Sequence, residues 1–180
     1  MKKRTMFRTI AAGLVTAAAL ALASCGGGSA AAGKCPKIGV LPDASDLPVT
    51  NAAGEIVALA RLSVANGACI YDKTQVTRTG YSKVQFPLTV RVSVARTQGS
   101  GVGDIYVKYI VATVSEDGVV TGKQIYDMSV SFDGRTGFED ETLLITLPYE
   151  GNDSASQHRI VAAFQLDRET VRINRQRLGR

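Results

Sequence analysis

Three cysteines, Cys25, Cys35 and Cys69, and a single histidine, His158, are the residues of this 180-residue chain best suited to chemistry. A cysteine thiolate is a nucleophile or a metal ligand, and a histidine beside a serine is the usual base of acyl transfer. The spacing carries neither. No cysteine has a CxxC partner or a nearby histidine, so the pattern of a zinc or redox centre is missing. His158 follows Ser154 and Ser156 in the loop GNDSASQH, and a hydrolase built on a serine with His158 would need a third group to orient the imidazole. No SxxK, GxSxG or HExxH sequence occurs, so His158 reads as a loop histidine.

Three other stretches have residue types that chemistry uses. GSGVG at 99–103 has the glycines of a phosphate loop, but the run after it is strand-like, whereas phosphate loops lead into a helix N-terminus. It reads as a hairpin loop. The acids of Asp133-Gly-Arg-Thr-Gly-Phe-Glu-Asp-Glu141 lack EF-hand spacing, and calcium asks for six to eight oxygens, so they read as solvated turn residues. Tyr106, Tyr109 and Tyr126 fall inside strand-like runs, where sheet packing explains them better than a sugar-binding platform. Expected catalytic, cofactor and metal residues are therefore none.

The elements that would position these residues are strands. Phe86, Leu88, Val90, Val92 and Val94 alternate with Pro87, Thr89, Arg91 and Ser93, the period of a half-buried strand, and Pro87 suits a strand start or an edge. Similar runs cover Ile38–Leu41, Ile56–Tyr71, Ile105–Ser115, Gln124–Phe132, Thr142–Leu147 and Arg159–Leu166. Turn chemistry separates them at Asn66-Gly67, Asp117-Gly118, Asp133-Gly134 and Glu150-Gly-Asn-Asp153. The reading is all-β: about seven strands in a two-sheet sandwich of immunoglobulin or fibronectin type. The run from Ile105 to Val114 is apolar on both faces and suits a central strand. After Phe164, Asp167 caps a short helical turn with Glu169 in its first turn, or Val171 and Ile173 alternate as a strand.

The chain opens with Lys2, Lys3, Arg4 and Arg8, continues uncharged from Ile10 to Ala23, and reaches Leu22-Ala23-Ser24-Cys25. Basic flank, apolar run and small residues are the parts of a secretory signal. The run is about fourteen residues, short of the ~20 that cross a bilayer. Leu22-Ala23-Ser24-Cys25 resembles the lipobox of bacterial lipoproteins. That resemblance implies a signal peptide over 1–24, a diacylglyceryl thioether on Cys25, acylation of the new N-terminus with palmitate-like chains, and attachment to the lipid bilayer. Several chains make attachment lasting, at ~0.8 kcal/mol per buried CH₂. Gly26 stands where an aspartate would, in the enteric sorting rule, retain the protein in the inner membrane, which points to the periplasmic face of the outer membrane. Residues 25–34 are the lipidated cysteine and a Gly/Ala-rich tether with a reach of ~16 to 18 Å.

With Cys25 lipidated in an oxidising compartment, Cys35 and Cys69 are the remaining thiols, and a Cys35–Cys69 disulfide is expected. Of 21 basic residues four lie in the signal, leaving 17 against 16 acids, so charge gives no reason to expect nucleic acid. The local exception is Arg172, Arg175, Arg177 and Arg180, read as a solvated, frayed tail or as a contact for anionic lipid. Residues 35–180 suffice for one β-sandwich core. Within them Cys35-Pro-Lys-Ile, Val64-Ala-Asn-Gly-Ala-Cys-Ile-Tyr-Asp72, Gly103-Asp-Ile-Tyr-Val-Lys-Tyr-Ile-Val-Ala112 and Phe164-Gln-Leu resemble a group of alphaproteobacterial lipoproteins. The resemblance implies an exported β-rich domain with a cysteine pair. The expected function is a non-enzymatic envelope module that binds a partner protein or supports an assembly. The rivals are a small-ligand or glycan binder, marked by a concave tyrosine cluster, and the His158 hydrolase.

Overall fold

In a computed structural model of the chain, residues 35–72, 82–99, 101, 103–149 and 154–179 are described. The expected signal peptide, Cys25 and the expected tether (residues 1–34), Ser100 and Val102 of the GSGVG stretch, the turn expected at 150–153 and Arg180 lie outside them. The period-two run foreseen around Phe86 extends to the fifteen residues of β5 (Ser82–Arg96). Val84, Phe86, Leu88, Val90, Val92 and Val94 are at most 2% exposed, while Lys83, Arg91, Ser93 and Ala95 face water. Burying six large apolar side chains, at about 1.5 to 3 kcal/mol each, makes this strand the floor of the core.

Around β5 lies sheet B: β2 (Asp46–Thr50), β3 (Ile56–Asn66), β5 and β8 (Thr136–Tyr149), with β4 (Ile70–Asp72) continuing the line of β3 along β5. Sheet A has the order β1 (Lys37–Val40), β9 (Arg159–Phe164), β6 (Ile105–Val114), β7 (Val120–Val130). Every pairing is antiparallel except β1 with β9. Side chains of β3, β5 and β8 meet those of β6, β7 and β9 in one core. The all-β sandwich expected from the sequence is the observed architecture.

The count is nine strands among the described residues rather than about seven. β2 went unforeseen because Pro48 interrupts its pattern, although Asn51 and Gly54 carry a turn signal after it. There the Asn51 Oδ1 accepts from the N–H groups of Ala53 and Glu55 at 2.9 and 3.0 Å, and Gly54 sits at φ 80°. β8 begins at Thr136, so the acids 139–141 read as turn residues are strand residues, with Glu139 and Glu141 on one face and Asp140 on the other. Sheet B runs β2-β3-β5-β8 with β4 in line with β3, an order that differs from the immunoglobulin ABED/CFG. β6 alternates burial, with Ile105, Val107, Tyr109 and Val111 inside and Tyr106 outside, so its apolar outer residues face no second layer.

Pro87 is neither at a strand start nor on an edge; it lies within β5, between β8 and the junction of β3 with β4. The Gly67 N–H donates to the Pro87 carbonyl at 2.8 Å, and the return bond of that pair is the one a proline cannot make. The ladder breaks there. Register along β5 shifts by one residue between Asn66↔Leu88 and Ile70↔Gln85, a bulge that absorbs the missing donor. Cys69 falls in this bulge and is bonded to Cys35, Cα–Cα 5.9 Å, so the expected disulfide ties the start of β1 in sheet A to sheet B.

The tail is a helix, α1 (Arg168–Arg177), and not a strand or a frayed end. Asp167 caps it, accepting from the Thr170 N–H at 2.7 Å and from its hydroxyl at 3.0 Å. Asn174, 3% exposed, donates through Nδ2 to the carbonyls of Asp43 and Asp46 at 3.1 and 2.8 Å, fastening α1 to the 3-10 turn Pro42–Ala44 and β2.

A methyl group on Gly137 would sit 2.2 Å from the Ser131 carbonyl oxygen, whereas one on Gly39 would meet nothing within 4 Å. Gly137→Ala should therefore lose more than about 2 kcal/mol in urea unfolding and Gly39→Ala stay within about 0.5 kcal/mol of the parent; equal losses would refute this account of the β7–β8 corner. Replacing Cys35 and Cys69 together with alanine should cost up to about 4 kcal/mol, the chain-entropy value for the loop they close. An unchanged urea midpoint would count against a stabilising disulfide.

Candidate functional site

Two arrangements of polar and aromatic side chains stand out. The first is internal and joins the sheets. Tyr109 of β6 is fully buried, and its hydroxyl donates to Glu141 Oε2 of β8 at 2.5 Å. Its ring stacks on that of Tyr126 of β7, centroids 5.2 Å apart and planes within 17°, and the Tyr126 hydroxyl donates to Gln124 Oε1. Register explains the meeting: Tyr109 pairs with Tyr126, and Glu141 sits on the inward-facing row of β8. Burial, and then the bond to Glu141, hold the Tyr109 phenol protonated well above its ordinary range. Burial and the nearby Glu141 charge push Tyr126 the same way. Hydroxyls held protonated in this way donate hydrogen bonds and do not act as bases near neutral pH.

The second is an open groove of about 680 Å³ on the outer face of sheet B, lined by Leu59, Arg61, Ser93, Asp133, Thr136 and Phe138 among others. β3 and β5 supply its floor, and the β7–β8 corner, turned by Gly134 at φ 71°, supplies its wall. Phe138 is 62% exposed. The guanidinium of Arg91 lies 4.8 Å from the Phe138 ring centre and holds Asp140 through paired 2.6 Å bonds. Those bonds keep the Asp140 carboxyl below its ordinary range. Arg61 pairs likewise with Asp46 at 2.9 Å. An exposed aromatic ring among oriented arginines is the composition of a recognition surface.

The residues singled out in the sequence are scattered. Ser156 and His158 belong to the 3-10 turn Ser154–Gln157 and the step into β9; the His158 N–H donates to the Ala155 carbonyl at 3.2 Å, and the Lys37 N–H to the His158 carbonyl at 3.3 Å. The three tyrosines share no concave surface: Tyr109 is buried, Tyr126 stacks on it, and Tyr106, 79% exposed, points to the opposite face. Among the described residues no group of three histidines, cysteines or carboxylates is placed to hold a metal. Two tail arginines are ion-paired, Arg172 with Glu169 and Arg175 with Asp43 at 2.7 Å. Glu169 precedes the arginine run in the sequence and Asp43 is distant from it, so the second pair was invisible to local reading. Phe138 carries no local signal, because its neighbours from Asp133 to Glu141 have the composition of a turn.

No helix among the described residues is long and apolar enough to cross a membrane. No family model, curated protein or solved structure matches the chain.

The buried Tyr109 phenol makes stability pH-dependent on the alkaline side. Its folded-state pKa is raised, so its contribution is complete below about pH 10, the unfolded value, and is lost as pH rises beyond it. Urea unfolding should weaken above that pH, and Tyr109→Phe should flatten the slope; an unchanged slope would show that the phenol is not held protonated by its surroundings.

Proposed function

We propose that this protein is a lipid-anchored envelope module that binds a partner protein through the outer face of sheet B and performs no catalysis. One observation carries the reading: the groove and the disulfide lie at opposite ends of the strands. Leu59 and Phe138 are near the start of β3 and the start of β8, while Cys69 follows the end of β3. Ten residues of nearly continuous strand separate Leu59 from Cys69, roughly 30 Å at 3.3 Å per residue. A chain acylated at Cys25 and led into the domain at Cys35 would hold the disulfide end near the bilayer and present Phe138, Arg61 and Arg91 away from it.

The chemistry of the groove supports protein recognition over turnover. The arginines in and beside it are held in place by carboxylates, Arg61 by Asp46 and Arg91 by Asp140, and the exposed Phe138 ring is suited to anchoring a contact. The test is capture from the native membrane. Crosslinking the tagged full-length chain, beside Cys25→Ala and Phe138→Asp, should recover a stoichiometric envelope protein with the parent and lose it with both variants. Recovery of the same proteins with Phe138→Asp would remove the groove from the account, and recovery of the chain alone would remove the partner.

A further inference from the structure

The longer rim strands among the described residues, beyond the three-residue β4, are guarded very unequally. A rim strand offers unpaired N–H and C=O groups to any other chain, and folded proteins blunt such rims with shortness, proline, charge or a covering element. β1 has four residues. β2 has five, with Pro48 at its middle and a bulge at Val49/Thr50, and its rim-facing Asp46 carbonyl is taken by Asn174 of α1. β7 is long, but the residues whose main chain faces outward, 121 to 129 at odd numbers, include Lys123 and Asp127. β8 differs. Six residues, Thr142 to Leu147, carry no charge, proline or glycine, and Leu144 at their centre is 63% exposed.

The main-chain directions of β8 follow from its register. Arg96 N–H bonds to the Arg135 carbonyl and Thr97 N–H to the Val57 carbonyl, so even-numbered residues of β5 face β8 and odd-numbered ones face β3. Val90 pairs with Glu141 and Leu88 with Leu143, which turns odd-numbered β8 residues toward β5. Thr142, Leu144 and Thr146 therefore direct their N–H and C=O groups off the sheet. The segment is also nearly palindromic. Reading outward from Leu144, Leu143 answers Ile145 and Thr142 answers Thr146.

We infer that β8 pairs with β8 of a second copy of this chain, antiparallel, about a two-fold axis through Leu144. Leu144 then faces its own copy, Thr142 faces Thr146 of the other chain, and each of these rim residues finds a partner for both main-chain groups. The next outward pair would match Asp140 with Pro148, which has no N–H, so the ladder ends symmetrically, and no shifted register pairs the uncharged rim residues Thr142, Leu144 and Thr146 as completely with one another. Asp140 and Glu141 on one side of the open segment and Pro148 on the other confine pairing to this stretch. The inference uses no part of the groove around Phe138 and does not rest on the lipid anchor.

Single cysteines in the full-length chain test it in its own membrane. In an antiparallel hydrogen-bonded pair the Cα atoms lie ~5.5 Å apart, within disulfide reach, whereas Thr142 and its own copy would be ~13 Å apart. Under mild oxidation Leu144→Cys should form a disulfide-linked homodimer at least about tenfold more than Thr142→Cys, and differently tagged Thr142→Cys and Thr146→Cys chains should link to each other when coexpressed. Mass mapping of Cys35–Cys69 in each variant checks that the domain has folded. Equal linking at 142 and 144, or a 144 adduct with a different protein, would overturn the inference. A folded 144 variant that stays monomeric while the 142/146 mixture also fails to link would do the same.

Discussion

Six side chains of β5, at every second position from Val84 to Val94, are sealed between the sheets, and both flanking strands take their register from that burial. A slip of one residue would turn all six to water, so the hydrophobic term fixes the pairing of β3, β4 and β8 together. The one flaw in the strand, Pro87, is placed where its neighbour can give way. β3 ends and β4 begins opposite it, Gly67 supplies the close approach, with a methyl there lying 2.4 Å from the proline ring, and the bulge brings Cys69 to Cys35. Core, proline, bulge and crosslink are thus successive consequences of a single strand.

How much of this could be read from the residues depended on whether the deciding contact was local. Alternation from Phe86 to Val94, the Asp117-Gly118 turn and the cysteine pair all announced themselves, because each is a short-range pattern or a matter of counting. β2 hid behind Pro48, whose cost is low on a short rim. The first half of β8 hid behind its acids, which look like turn residues until Arg91 and Tyr109 are seen to receive Asp140 and Glu141 from other strands. The helix was one of two readings of Phe164–Asn174, and what decided between them was Asn174 reaching carbonyls more than a hundred residues away. The groove was not legible, since Leu59, Ser93 and Phe138 are brought together only by register.

Polar residues do structural work at both boundaries of the core. Inside, the Tyr109–Glu141 bond and the Tyr126 stack link the sheets where apolar packing thins toward the β7 and β8 rims. A buried polar pair tolerates fewer alternative alignments than aliphatic contact does, because a wrong one strands a donor or a carboxylate. Outside, paired charges such as Arg91–Asp140 and Lys108–Asp127 lie on exposed faces, where each contributes about 0 to 1 kcal/mol and matters more for orientation than for stability.

The Cys35–Cys69 bond also decides how the domain answers a pull. Any tension on the N-terminal segment enters at Cys35, beside the four-residue β1 at the rim of sheet A. Without the crosslink, that load would fall on the four-residue pairing of β1 with β9, which could detach step by step. With it, the load passes covalently into the junction of β3 and β4 and spreads over the long ladders of β5. The weakest strand is thereby relieved of force, and the sandwich resists being drawn out by its leading end as one block.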